Sequence, residues 1–334
     1  MNKLKVGLLG GGSWGTTVAS LVARNTDILM WARDAAMVNE INKHHTNEKY
    51  LPGAKLPRSL VAKKKIKRVV EKADVLIMGV PSNSFREVLE EAKPHLRPWI
   101  PVISLTKGLE RETDLRMTQV IEDVVPGHPV GVLTGPNLAR EIMAGQAAAS
   151  VIAMEDEIIV RQLQKIFNSG LFRVYTNSDV IGCELGGVLK NIIAIAVGMG
   201  VGLGAGDNTR SALITRGLAE ITRLGVALGG RPETFAGLTG MGDMLATCIS
   251  PQSRNHQVGV QLGKGRSIEE IIDEMYMVAE GVKSAPTVMK LAEQHKVEMP
   301  IARDVGMVIE GQRTPTQAFH GLVRQLAGSE AEPG

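Results

Sequence analysis

The stretch Lys5-Val6-Gly7-Leu8-Leu9-Gly10-Gly11-Gly12-Ser13-Trp14-Gly15-Thr16-Thr17 decides the fold of this chain. A short aliphatic run leads into Gly-x-Gly-x-x-Gly, and apolar residues then recur at helical spacing. Strand, glycine motif and helix in this order are typical of a dinucleotide-binding unit. Gly10 permits the tight turn, Gly12 lets the backbone approach a pyrophosphate, and Gly15 lets the helix pack on the strand. The free N–H groups at the helix start then bind the anion.

A second aliphatic run, from Ile28 to Ala32, follows at the distance expected for the next strand and ends in Arg33-Asp34. An acidic residue at this position favours NAD by binding the ribose hydroxyls, and an arginine favours the 2′-phosphate of NADP. Both residue types are present, with the arginine first. The sequence therefore predicts NAD or NADP as cofactor, with a preference towards accepting NADP.

Short aliphatic strands continue to alternate with helices, at 75–78, 102–105 and 130–133. This alternation predicts an α/β fold of the Rossmann type, with a doubly wound parallel sheet. Ligands of such sheets bind beyond the carboxyl ends of the strands. Lys107 and the turn from Gly135 to Ala139 follow two of those ends, so both are candidates for contact with substrate or cofactor.

Strand signals fade in the second half, where helical patterns follow one another to the charged tail. Polar loops are expected at 239–243 and 253–255, between helices. We place the boundary between Thr176 and Cys183. This predicts a Rossmann domain at 1–180, which binds NAD(P), and an all-helical domain at 181–334, which binds the substrate and carries the catalytic residue.

The helix predicted from Leu185 to Val197 is apolar on every face, which is typical of a helix inside a protein. Lys190 and Asn191 interrupt it, and the apolar run after them is too short to span a membrane. Lysines are seldom buried without a partner, and desolvation lowers a lysine pKa towards a range useful for proton transfer. The alternative is that Lys190 extends its ammonium group to the surface along an apolar stem.

The composition of the chain limits the kinds of partner and the cellular compartment that are expected. The chain carries 38 Lys and Arg against 35 Asp and Glu, a balance that argues against nucleic acid as a partner. The basic run at 63–68 is interpreted as a solvated helix face. Cys183 and Cys248 have no metal-ligand spacing and are expected to be buried thiols of a reducing compartment. No signal peptide is visible, so a cytoplasmic protein without stable membrane insertion is expected.

Along essentially its whole length the chain resembles the bacterial NAD(P)-dependent glycerol-3-phosphate dehydrogenases. The resemblance rests on the glycine motif of residues 10–16 and on six further motifs, which together are highly specific. These are Thr106-Lys-Gly-Leu-Glu110, Gly135-Pro136, Leu185-Gly-Gly-Val-Leu-Lys-Asn191, Ala212-Leu-Ile-Thr-Arg-Gly-Leu-Ala-Glu220, Gly240-Met-Gly-Asp243 and Ser253-Arg-Asn255.

The resemblance implies interconversion of dihydroxyacetone phosphate and sn-glycerol 3-phosphate by a homodimer that supplies phospholipid synthesis. It implies that Lys190 is the catalytic base. The substrate contacts that it implies are Lys107, Gly135, Asn137, Lys190, Asp243, Ser253, Arg254 and Asn255. The cofactor contacts that it implies, besides the glycine motif, are Ser13, Trp14, Arg33, Lys107, Ala139, Arg254, Val278 and Glu280. Asn137 and Ala279 depart from the residues usual in the family, and neither change threatens these expectations.

Two other functions remain open at this stage. A dehydrogenase of 3-hydroxy acids shares the glycine loop and a helical domain with a lysine near an asparagine, but it needs carboxylate recognition where residues 253–255 suit phosphate. A nucleotide-sensing protein without enzymatic activity has no use for a buried proton-transfer lysine.

Overall fold

The computed structural model describes residues 4–275 and 279–324. These residues form two compact units that divide between Val180 and Ile181, except that the short segment Arg111–Asp114 belongs to the second unit. The assignment of cofactor binding to residues 1–180, and of substrate binding and catalysis to residues 181–334, remains a prediction.

The first unit is built on one eight-stranded sheet of order β3-β2-β1-β4-β5-β6-β7-β8. Its strands are β1 (Lys5–Leu9), β2 (Asp27–Trp31), β3 (Val61–Lys63), β4 (Val75–Met78), β5 (Val102–Ser104), β6 (Val130–Thr134), β7 (Ala148–Met154) and β8 (Phe172–Asn177). All neighbouring strands run parallel except β6 and β7, which are antiparallel. The predicted Rossmann-type fold is confirmed, and the sheet is mixed at this one pair.

Helices cover both faces of this sheet, as a parallel sheet requires. They are α1 (Ser13–Val22), α2 (Ala35–His44), α3 (Ile66–Val70), α4 (Phe85–Ala92), α5 (Met117–Val124), α6 (Ala139–Met143) and α7 (Glu157–Phe167). The alternation of side chains along β1 places Leu8 in one apolar cluster and Leu9 in another. All four residues of β4 are buried, which explains their unbroken apolar sequence.

The basic run at 63–68 is not one helix face, so that interpretation was wrong. Lys63 is the last residue of β3, Lys64 and Lys65 follow the strand, and α3 begins only at Ile66. The three-residue strand β3 pairs in parallel with β2 and takes up the first lysine of the run. Pairing with a neighbouring strand has overridden the local helical pattern.

The second unit is helical, as expected. Its helices are α8 (Val180–Gly202), α9 (Asp207–Ala227), α10 (Pro232–Ala236), α11 (Asp243–Ile249), α12 (Arg254–Gly263), α13 (Ile268–Glu274), α14 (Glu280–Gln294), α15 (Pro300–Ile309) and α16 (Pro315–Arg324). The polar loops expected at 239–243 and 253–255 are helical instead, except for Ser253. A wide π-type turn, Leu238–Gly242, leads into α11, and Ser253 is the residue that caps α12.

The helix α8 is the core of this unit, and every residue from Gly182 to Gly200 is buried. By length and composition α8 could cross a membrane, but 89% of its apolar window is buried inside the protein. It packs on α12 at backbone distance: a Cβ added to Gly198 would lie 2.2 Å from the carbonyl oxygen of His256. A Cβ on Gly259 would lie 2.1 Å from the carbonyl oxygen of Ile195. This close approach ties the position of α12 to that of α8.

A buried carboxylate joins α9 to α15. Glu220 accepts hydrogen bonds from the backbone N–H groups of Ile301 (2.7 Å) and Ala302 (3.2 Å), at the start of α15. Burial raises the pKa of Glu220 from its ordinary 4.5 to about 7, and the two N–H groups oppose this rise. The folded protein therefore holds a proton on Glu220 at pH values where the unfolded chain has lost it.

This difference makes the stability of the protein depend on pH. The contribution of Glu220 is fully present below about pH 4.5 and is lost as the pH rises through about 7, a change of up to about 3 kcal/mol. Glu220→Gln cannot titrate. Between pH 4.5 and 8 the free energy of unfolding of the wild type should therefore fall relative to that of the variant, measured by urea denaturation. Parallel pH curves for the two proteins would contradict the raised pKa.

Candidate active site

The glycine loop lies at the carboxyl end of β1, with no room for larger residues at two of its positions. Gly10 has a φ of 135°, and a Cβ added to it would lie 2.3 Å from the carbonyl oxygen of Gly79. A Cβ on Gly15 would lie 2.2 Å from the carbonyl oxygen of Gly10. A Cβ on Gly12 would meet nothing within 4 Å, so the space beside Gly12 is open.

Hydrogen bonds hold this loop in place. The buried side chain of Asn47 donates to the carbonyl oxygen of Gly11 (3.0 Å) and to Thr16 Oγ1 (2.9 Å). Gly12 has no side chain with which to cap α1, so the first N–H groups of that helix remain available to an anion. The buried indole nitrogen of Trp14 has no hydrogen-bond acceptor among the described residues. A rigid loop, an open surface and available donors fit the pyrophosphate of a dinucleotide.

The end of β2 is followed by Arg33 and Asp34, the two residues that leave the choice between NAD and NADP open. The Asp34 carboxylate accepts a hydrogen bond of 2.8 Å from the Ala36 N–H and so caps α2. The neighbouring Arg33 is exposed. Asp34 therefore has a structural role at the helix start, while the exposed Arg33 is available to a ligand.

A second group of predicted residues lies at the carboxyl ends of the neighbouring strands β5 and β6. Lys107 Nζ donates to the carbonyl oxygen of Gly135 at 2.8 Å, and Asn137 Nδ2 donates to Ser150 Oγ at 3.1 Å. Ala139 begins α6 directly afterwards. The buried Asn137 Oδ1 has no donor among the described residues. The structure thus brings Lys107, Gly135 and Asn137 together, with a polar atom left for a ligand.

In the second unit Lys190 is buried, with 4% of its surface exposed, so it does not extend to solvent along an apolar stem. Its Nζ donates to Asp243 Oδ1 and to Thr247 Oγ1, both at 2.5 Å. Asp243 and Thr247 are four residues apart, one turn of α11, and both are buried. A buried ammonium group between a carboxylate and a hydroxyl is a suitable acid and base.

Thr247 was missed in the sequence analysis. Its spacing of one helical turn from Asp243 was the available signal, but residues 239–243 were interpreted as a loop. The Thr247 hydroxyl also donates to the carbonyl oxygen of Asp243 at 2.6 Å. Because its proton is used in that bond, Thr247 Oγ1 accepts the hydrogen bond from Lys190 through a lone pair. This fixed orientation holds the ammonium group from a second side.

The buried Cys248 lies beside this pair. Burial raises the pKa of its thiol to about 12, with the nearby Asp243 also raising it and Lys190 opposing. The thiol is therefore neutral near pH 7. It is therefore not a candidate for a base at that pH.

A chain of amides connects α8, α12 and α14. Asn255 Nδ2 donates to Asn191 Oδ1 at 3.0 Å, and Asn255 Oδ1 accepts from the Gly281 N–H at 3.0 Å. Each of these three residues directly follows a predicted site residue in the sequence, namely Lys190, Arg254 and Glu280. The amide chain therefore links the three backbone segments that carry these residues.

The predicted phosphate-binding residues lie at the start of α12. The Ser253 hydroxyl accepts from the His256 N–H at 3.2 Å and caps the helix. Arg254 is half-buried; burial lowers the pKa of its guanidinium, and the negative charge of Glu280 opposes this. An arginine still carries its charge in such surroundings. A helix start beside a guanidinium group suits a phosphate dianion. Val278 lies outside the described residues.

A glycine-loop sheet together with a helical unit that holds a buried lysine–aspartate pair defines the class of NAD(P)-dependent dehydrogenases. Two family models, the N- and C-terminal parts of NAD-dependent glycerol-3-phosphate dehydrogenase, match residues 5–160 and 179–320. The chain belongs to the NAD-dependent glycerol-3-phosphate dehydrogenase family.

Individual relatives agree with the family. Glycerol-3-phosphate dehydrogenase [NAD(P)+] 2 of Sphingopyxis alaskensis is 71% identical over 99% of this chain and 100% of its own length. Glycerol-3-phosphate dehydrogenase [NAD(P)+] of Mycobacterium avium is 51% identical over 99% of this chain and 97% of its own. The crystal structure of glycerol-3-phosphate dehydrogenase from Coxiella burnetii superposes with a TM-score of 0.92 at 35% identity, covering 97% of this chain and 99% of that one.

Proposed function

We propose that this enzyme interconverts dihydroxyacetone phosphate and sn-glycerol 3-phosphate with NAD(P)H. The observation that carries the proposal is the buried Lys190, held by Asp243 and Thr247 at 2.5 Å each. Burying a charged group costs free energy, and buried titratable groups of this kind are concentrated at functional sites. Proton transfer to a substrate oxygen is a function that fits this lysine. When bound, the nicotinamide supplies or accepts the hydride at C2 of the substrate.

Lys190 handles the proton in both directions. In reduction its ammonium group gives a proton to the carbonyl oxygen as the C2–H bond forms, and in oxidation the neutral amine removes the hydroxyl proton as hydride leaves. Asp243 stabilises the charged form of the lysine. Thr247 keeps Nζ in one position while the charge changes.

We assign recognition of the substrate phosphate to Ser253 and Arg254 at the start of α12. Asn255 contributes mainly by its amide bonds to Asn191 and Gly281, since both of its side-chain polar atoms already have partners. In the first unit, Lys107, Gly135 and Asn137 are assigned to substrate contact on the ground that they form one cluster with an unsatisfied amide oxygen.

We assign the dinucleotide to the glycine loop of the first unit. The loop geometry and the uncapped start of α1 support binding of the pyrophosphate beside Gly12, Ser13 and Trp14. Arg33, at the tip of the second strand, is assigned to the adenine ribose. Lys107, Ala139, Arg254, Val278 and Glu280 complete the proposed cofactor contacts.

The exposed Arg33 makes cofactor choice testable. Arg33→Ala should weaken NADPH binding by about 1 kcal/mol or more, because a charge-assisted bond to the 2′-phosphate is lost. Binding of NADH, which has no such phosphate, should change little. The two dissociation constants are measured by calorimetry. Equal losses for both dinucleotides would show that Arg33 does not meet the 2′-phosphate.

The proposed reaction is tested by following NADH and NADPH oxidation in the presence of dihydroxyacetone phosphate. Assays with 3-hydroxy acids in the oxidising direction separate it from the related reaction that the sequence left open. Turnover with the phosphorylated ketone supports the proposal. Turnover confined to hydroxy acids, or the absence of turnover with either class, would contradict it.

Supply of glycerol 3-phosphate to phospholipid synthesis is the metabolic role that we propose. We also propose that the enzyme works as a homodimer in the cytoplasm, and that residues 1–180 bind the cofactor while 181–334 carry the catalytic lysine. Light scattering after gel filtration measures the oligomeric state directly, and a monomeric mass would contradict the dimer.

A further inference from the structure

The carboxyl ends of β2 and β3 lie side by side. Trp31 is paired with Lys63 in the parallel ladder, and the Ala32 N–H donates to the carbonyl oxygen of Lys63 at 3.2 Å. One residue further on, the Trp31 indole N–H donates to the carbonyl oxygen of Lys64 at 2.9 Å. The ladder bond and the indole bond hold the segment after β3 against the segment after β2. Lys64 and Lys65 therefore leave the sheet at the same level as Arg33.

This level of the sheet carries a concentration of positive charge. Arg33, Lys64 and Lys65, which we name the basic tip, are all exposed. Within residues 4–275 and 279–324, none of the three forms an ion pair. The one carboxylate next to them in sequence, Asp34, is turned to the N–H group that it caps at the start of α2. The basic tip is therefore available to an anionic ligand.

Neighbouring strands of a sheet are about 4.8 Å apart, which is less than the length of a lysine side chain. An anion held by Arg33 is thus within reach of side chains that leave the next strand. In a dinucleotide-binding sheet the adenine ribose lies at the tip of the second strand. Its 2′-phosphate is a dianion that an arginine fork and lysine point charges bind together.

We propose that Lys64 and Lys65 join Arg33 in binding the 2′-phosphate of NADP and so help to determine the choice of cofactor. This inference rests on the proposed function only in that a dinucleotide must bind the glycine loop. The two lysines act as positioning charges on the phosphate and have no part in proton or hydride transfer. Their effect is confined to the dinucleotide that carries the phosphate.

The double variant Lys64→Ala/Lys65→Ala tests this inference by calorimetric binding of NADPH and NADH, without turnover. We expect the dissociation constant of NADPH to rise about tenfold, and that of NADH to change less than about twofold. The loss for NADPH should shrink as salt is added, because exposed charges are screened.

The matched control is Lys5→Ala/Lys72→Ala. It removes the same charge from two exposed lysines of the same unit. Lys5 begins β1 and Lys72 precedes β4, so both lie towards the opposite edge of the parallel sheet. This control should leave both dissociation constants unchanged. An equal loss of NADPH affinity in the control would show that the effect comes from the net charge of the protein, and it would overturn the inference.

Two further outcomes are decisive. Unchanged NADPH affinity in Lys64→Ala/Lys65→Ala, or equal losses for NADPH and NADH, would also overturn the inference while leaving the proposed function intact. Failure of the wild type to bind either dinucleotide would contradict the proposed function itself. Circular dichroism of both double variants should match the wild type, since all four lysines are exposed.

Discussion

Lys190→Met is expected to lower turnover by at least about 10²- to 10⁴-fold, the usual effect of removing a general acid and base. The loss includes the stabilisation of negative charge that forms on the substrate oxygen beside the ammonium group. The measurement is kcat for dihydroxyacetone phosphate reduction at saturating NADH, since NADH binding to the glycine loop does not require this side chain.

The ion pair makes this substitution more disruptive than the sequence indicated. From the sequence alone, methionine should be tolerated or even stabilising, because it keeps the unbranched stem. The structure contradicts this expectation, since the substitution removes the cation that pairs with Asp243, a carboxylate that is only 1% exposed. Breaking a buried pair from one side costs about 3–5 kcal/mol.

Lys190→Arg provides the matched variant. Arginine keeps a positive charge beside Asp243 but cannot release its proton near neutral pH. We expect it to be inactive as well, with NADH affinity retained. Lys264→Met, which changes an exposed lysine at the end of α12, should leave kcat unchanged. Near-normal turnover of both Lys190 variants would remove this lysine from the chemistry and make Lys107 the next candidate.

Arg254→Ala is expected to raise KM for dihydroxyacetone phosphate about 10- to 150-fold. This corresponds to about 1.5–3 kcal/mol for a charged hydrogen bond left unmade. The effect is large because the guanidinium is half-buried, where water screens it poorly. Steady-state kinetics with the phosphorylated ketone measures it.

Dihydroxyacetone, which lacks the phosphate, is the internal control for this variant. Its kcat/KM should be nearly the same for Arg254→Ala and the wild type. Arg266→Ala removes an arginine that pairs with Glu274 at an exposed site, and it should leave both substrates unaffected. Equal losses for the two ketones would show that Arg254 does not hold the phosphate. A change confined to NADH would assign it to the cofactor.

Features that depend on local sequence could be predicted. The glycine motif could be used to predict the turn after β1, because only glycine fits at positions 10 and 15, where there is no space for a Cβ. The strand β4 is buried on both faces and therefore has an unbroken apolar sequence. Lys190 stood out because it interrupts a helix that is apolar all round, and its burial is what the structure shows.

Features that depend on tertiary contacts could not be predicted. The Lys190–Thr247 bond joins residues 57 positions apart. The role of Asp34 as a helix cap could not be predicted, because its position alone suggested a ribose ligand. The lysines after β3 were interpreted as part of a helix because the pairing of β3 with β2 is not visible in the local pattern.

The central claim is that Lys190 carries the proton of the reaction. The most direct test is the pH dependence of glycerol 3-phosphate oxidation at saturating NAD, compared between the wild type and Lys190→Arg at high enzyme concentration. The wild-type rate should rise with pH as one group loses its proton, and this rise should be absent from the residual rate of the variant. An identical rise in both proteins would show that another group is the base.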